Sequence, residues 1–189
     1  MINLESLNDE IFYIEHLSSE ENISEFTVNN SKGKGLELYF RKNAVNDENE
    51  NIARTYVIKD NNTREIVAYF TLRSGLITVS RGLFKGFDAI TGIELANFAV
   101  NDNYRAAHDV IPKLGSYIFS TFILPLVKEI SNYVGAMLLY IYALPEDRLM
   151  AHYETMGFSR TSEKMERFVY RHVKPAYDKN CVFMVRKIF

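Results

Sequence analysis

One cysteine, no tryptophan, four scattered prolines and nine glycines mark what this 189-residue chain has little of. Cys181 stands alone, so no internal disulfide can form, and the opening MINLESLNDE lacks the basic-then-apolar order of a secretory signal. A cytoplasmic address is the expectation. The most apolar runs, YIFSTFILPLV and VGAMLLYIYAL, fall short of the ~20 residues a bilayer crossing needs, so no membrane span is expected. There is no Walker loop and no GxGxxG, and Ser116 has no GxSxG elbow around it, which excludes nucleotide hydrolysis and serine-hydrolase chemistry. His16, His108, His152 and His172 show no metal-binding spacing, so no metal is expected. Repeats, Pro-rich linkers and low-complexity tracts are also missing, and the reading is one domain over 1–189.

What is present is globular in composition: 47% hydrophobic and 24% charged residues. The net charge of −2 is unevenly spread. Residues 1–50 hold 4 Lys/Arg against 11 Asp/Glu, whereas 51–189 hold 18 against 13. A basic C-terminal part suits an anionic ligand, a phosphorylated cofactor or RNA, and equally a solvated face.

Periodicity supplies the elements. IFYIEHL (11–17) reads as a strand, and GLELYFRKNAV (35–45) carries apolar residues at helical spacing. ARTYVIKD (53–60) and REIVAYFTLRS (64–74) flank Asn61-Asn62-Thr63 and predict a β-hairpin. Residues 75–91, with three glycines, read as a loop with room for one short element, and TGIELANFAVN (91–101) as a strand. From Pro112 to about Ser131 an apolar stripe predicts a helix, with Asp109 placed to cap it, Pro112 in its first turn and Pro125 bending it. AMLLYIYAL (136–144) is an unbroken apolar strand. PEDRLMAHYETM (145–156) is a short helix with Leu149, Met150, Tyr153 and Met156 on one face, ended by Gly157. Residues 159–179 are polar and partly basic, and NCVFMVRKIF (180–189) closes as a strand. The fold class is α/β with a mixed central sheet flanked by helices, strands 91–101 and 136–144 being parallel neighbours.

That order, with the local wording of the second half, resembles the GNAT superfamily of N-acetyltransferases. AHYETMGF (151–158) is similar to the pattern on the family's last helix, LLYIYAL to the strand beside the acyl-CoA cleft, and IELANFAV to the strand that carries the cofactor. LELYFRKNAV, ARTYVIKD and IVAYFTLRSG resemble a subgroup that includes toxins acetylating aminoacyl-tRNA. The family's cofactor loop reads Arg/Gln-x-x-Gly-x-Gly/Ala, and of the aligned Val110-Ile111-Pro112-Lys113-Leu114-Gly115 only Gly115 matches.

The resemblance implies a GNAT-like fold whose strands 91–101 and 136–144 part to form the cofactor cleft, with acetyl-CoA as co-substrate. Its acceptor would be an amine on a small molecule, a protein or aminoacyl-tRNA, and a homodimer is left open. The cofactor's diphosphate would meet the 105–116 loop, with Arg105, Lys113, Leu114, Gly115 and Ser116 around it. Gly115 equally suits close helix packing. Glu94 is the candidate base that takes the amine's proton, its alternative being an exposed or a salt-bridged residue. A strand N–H within Phe98, Ala99 and Val100 would stabilise the charge developing on the carbonyl oxygen. Tyr153 would protonate the departing thiolate, against the alternative of a core tyrosine. Arg160, Lys164, Arg167, Arg171 and Lys174 would border a phosphate-bearing acceptor. The reading from a different class is a GNAT-shaped binding module that has lost acetyl-CoA.

Overall fold

The computed structural model describes residues 2–80, 87–109, 111–173 and 180–189. Its strands are β1 (Phe12–His16), β2 (Arg54–Asp60), β3 (Ile66–Ser80), β4 (Phe87–Val100), β5 (Leu138–Ala143), β6 (Ser159–Arg160) and β7 (Val182–Lys187). They form a seven-stranded mixed sheet in the order β1-β2-β3-β4-β5-β7-β6. The helices flanking it are α1 (Lys34–Lys42), α2 (Ala44–Asn49), α3 (Asp102–Ala107), α4 (Leu114–Ile118), α5 (Leu124–Val134), α6 (Asp147–Thr155) and α7 (Glu163–His172). The chain packs as two compact units, the first from residues 1–73 and 95–126, the second from 74–94 and 127–189.

In the first unit β1, β2 and β3 pair antiparallel, as the turn chemistry at Asn61-Asn62-Thr63 predicts. Asp60 closes that turn, its Oδ1 accepting from the Asn62 and Thr63 N–H groups at 2.7 and 3.0 Å. Its Oδ2 accepts from the Tyr104 hydroxyl of α3 at 2.5 Å. The core is aromatic: the Phe40 and Tyr69 rings stack 4.2 Å apart, and Phe26 meets both edge-on. Such rings bury large apolar areas in favoured geometries. Asn101, buried at the end of β4, caps α3 through the Asn103 N–H and donates to the Ile66 carbonyl at 2.8 Å.

In the second unit β4 pairs parallel with β5 over Gly92↔Leu138, Ile93↔Leu139 and Glu94↔Tyr140, in agreement with the sequence reading. β7 runs antiparallel to both β5 and β6. Ile77, Tyr140, Val169 and Phe183 form its core.

Three readings of the sequence are corrected. Residues 75–91 are not mainly loop, because β3 reaches Ser80 and β4 begins at Phe87; residues 81–86 lie outside the described residues. The glycines misled because Gly75, and Gly92 just beyond the stretch, serve strands. A Cβ at Gly75 would overlap the Tyr140 hydroxyl, and one at Gly92 would crowd the same ring, so their bareness makes room for a buried tyrosine. The long helix starts at Leu114, not Pro112, and its N-cap is Lys113 in the left-handed region (φ 58°), so Asp109 does not cap it. Pro125 lacks the N–H that would close an α-turn on Thr121, and the helix accommodates this by a π segment over Phe119–Ile123. Finally, the polar stretch after 159 holds β6 and the ten-residue α7, whose apolar Met165 and Val169 the run of charges conceals.

Candidate active site

Tyr153 sits at the C-terminal end of α6, and the chain around it explains its orientation. Gly157 has φ +83°, which ends the helix in a left-handed turn. The Phe158 N–H donates to the Tyr153 carbonyl at 3.1 Å and the Gly157 N–H to the Glu154 carbonyl at 2.9 Å. These are the two bonds of a Schellman motif, and its usual apolar contact is also present: the Phe158 ring meets the Tyr153 ring edge-on at 5.7 Å. Arg186 of β7 donates to the Met156 carbonyl and closes the turn from outside. The motif AHYETMGF therefore fixes one aromatic ring against another through backbone geometry. Tyr153 is half-buried, and among the described residues its hydroxyl has no hydrogen-bond partner. Burial pushes its pKa up to about 12, with the neighbouring Cys181 adding to the shift. The phenol stays protonated at neutral pH and is able to donate.

Glu94 lies opposite Tyr140 in the parallel β4–β5 pairing and is buried, which removes the exposed-residue alternative for it. A buried carboxylate without polar neighbours is costly, and Glu94 takes part in further interactions. Further along β4, Ala99 is buried while Phe98 and Val100 are half-buried. β4 is continuous through all three.

The 105–116 stretch differs from a plain loop. Arg105 belongs to α3, is exposed and lies 3.5 Å from Asp102 one turn earlier. Lys113 is exposed at the head of α4, and its carbonyl accepts from the Ser116 and Tyr117 N–H groups at 2.8 and 3.1 Å. That leaves the Leu114 and Gly115 N–H groups without acceptors among the described residues, while the Leu114 side chain is buried. Two N–H groups opening a continuous helix, beside a lysine, fit an anionic group such as a diphosphate. Val110 lies outside the described residues.

Four of the five basic residues are among those described. Arg160, on β6, is held by Glu166 at 3.2 and 3.3 Å. Lys164, Arg167 and Arg171 are exposed on α7, and Lys174 lies outside the described residues. With Ile90, Ser162, Met165, Phe168 and His172, the three line a cavity of about 600 Å³. Sequence reasoning found the charges but not the apolar floor beneath them, since that floor depends on the unrecognised helix. Among the described residues, no helix is long and apolar enough to cross a membrane, and no three metal-ligating side chains cluster.

No protein-family model matches the sequence, and no curated protein does. Solved structures match throughout. A tyrosine-to-phenylalanine mutant of KacT is 15% identical, with 95% of this chain and 96% of that chain covered at a TM-score of 0.68. AtaTR bound with acetyl-CoA is 17% identical, with 94% and 95% covered at a TM-score of 0.68. AtaT complexed with acetyl-methionyl-tRNAfMet is 17% identical, with 91% and 93% covered at a TM-score of 0.64. Over nearly its whole length, the chain has the GNAT-like fold of these proteins.

Proposed function

We propose that the protein is an N-acetyltransferase moving an acetyl group from acetyl-CoA to a primary amine, with aminoacyl-tRNA as the acceptor. The observation that carries this is Tyr153: a protonated phenol with no hydrogen-bond partner among the described residues, locked by a Schellman turn in the motif that resembles the family's last helix. The fold it shares with structures that hold acetyl-CoA or an acetylated aminoacyl-tRNA supports the same reading.

When bound, acetyl-CoA supplies an activated acyl group on a thioester. The Leu114 and Gly115 N–H groups and the Lys113 ammonium hold its diphosphate, and Arg105 adds positive charge on α3. Ser116 has its N–H engaged and offers only its hydroxyl. Glu94 takes a proton from the acceptor's ammonium, directly or through water, so that the nitrogen gains a lone pair to attack with. A backbone N–H of the Phe98, Ala99 and Val100 stretch of β4 would stabilise the oxygen on which charge develops. Tyr153 gives its hydroxyl proton to the departing sulfur.

Tyr153→Phe removes the hydroxyl and keeps the ring against Phe158. Turnover should fall by roughly 10²-fold, with acetyl-CoA affinity and Tm nearly unchanged. Unchanged turnover in a folded variant would take Tyr153 out of the mechanism and favour the binding-module reading.

A further inference from the structure

We propose that the α7 cavity is a docking site for the phosphodiester backbone of an RNA strand, with Phe168 and His172 as a platform for one of its bases. This rests on the reading of aminoacyl-tRNA as acceptor and adds a binding site to it. Lys164, Arg167 and Arg171 recur at i, i+3 and i+7, which places them in one row about 10 Å long on the helix. All three are exposed, and among the described residues none has an ion pair, although Glu163 stands four residues before Arg167.

The row works against the helix that carries it. Arg171 and His172 in the last turn suit the negative end of the helix dipole, but Lys164 sits in the first turn, where a cation is disfavoured. Arg167 and Arg171 are like charges at i, i+4 and repel. A solvated face chosen for stability would not align them so, whereas an anion with repeated charges along a line would relieve each repulsion.

The floor adds a second requirement. Met165, Phe168 and Ile90 are half-buried beneath the cations. The Phe168 and His172 rings stack at 4.4 Å, and His172 Nδ1 lies 3.1 Å from the Phe168 carbonyl, which fixes the pair. Cations over an apolar, aromatic floor match a nucleotide unit, with phosphate above and base face below. Inorganic anions alone would leave that floor unused.

The test is binding of deacylated tRNA, followed by fluorescence anisotropy between 50 and 200 mM salt without acetyl-CoA. Replacing Lys164, Arg167 and Arg171 together by Gln should weaken binding about 10-fold or more and reduce the log K against log salt slope by about 2–3. Phe168→Leu keeps an apolar floor and should weaken binding with the slope unchanged. Each variant's Tm is recorded, so that a loss through unfolding is recognised and repeated with single Gln variants. An unchanged slope in the folded triple variant overturns the proposal. So does full competition by millimolar AMP, which would make the cavity a site for free nucleotides. Because the readout needs no turnover, α7-dependent binding by a protein that fails to acetylate any amine would refute the proposed function and leave this site standing.

Discussion

Gly157 does more for the candidate site than its size suggests. Its φ of +83° is costly for any L side chain, and a Cβ there would collide with the Arg186 guanidinium that closes the turn. Gly157→Ala should cost about 1–3 kcal/mol, read as a lower Tm, and should reduce turnover beyond the folded fraction lost, because the Schellman turn positions Tyr153. A variant as stable and active as the parent would detach the turn from the site. Asp60 offers a separate test in the first unit. Burial raises its pKa, but the Tyr104 hydroxyl and the Thr63 and Asn62 N–H groups outweigh this, and the net direction is down. A carboxylate depressed in the folded state contributes stability above the unfolded value near ~3.9, and that stability is lost as pH falls through the folded value. Asp60→Asn should therefore be less stable at pH 7 and lose less on acidification to about pH 3, as measured by urea denaturation.

The elements show where the sequence was and was not legible. β1, the β2–β3 hairpin, β5 and α6 could be read because each carries its own period and its own end signals, such as Asn61-Asn62-Thr63 or Gly157. The end of β3 after residue 74 and the start of β4 before residue 91 could not, since the glycines beside them, Gly75 and Gly92, answer to Tyr140, a residue distant in sequence. This gives a coupling test. Gly75→Ala should destabilise by roughly 1–3 kcal/mol through overpacking, and less so in a Tyr140→Phe background, where the overlapping hydroxyl is gone. Additive effects would mean that the two positions do not share the space. α7 escaped notice because its exposed residues outnumber its buried ones, yet its Ser162 cap is ordinary: the hydroxyl oxygen accepts from the Met165 N–H at 3.4 Å. Ser162→Ala should cost about 1 kcal/mol, seen as faster amide exchange across the first turn of the helix.

At the scale of the whole molecule, the uneven charge finds a partial location. The excess of Lys/Arg after residue 50 includes the row on α7, while Arg160, which adjoins it in sequence, is neutralised by Glu166. The candidate chemistry was legible as far as motifs reach: Tyr153 and Glu94 stand on the elements expected of them. The Leu114 and Gly115 N–H groups of the candidate cofactor loop were not, because they are set by where α4 begins, and that depends on the left-handed Lys113 rather than on a capping side chain. The account stands or falls on acetyl-CoA, and calorimetric titration of the full chain tests it directly. Saturable binding near one molecule per chain is expected, abolished in a folded Gly115→Glu variant whose carboxylate repels the diphosphate. No saturable heat or fluorescence change with up to millimolar acetyl-CoA, in protein shown to be folded, would contradict the acetyltransferase reading.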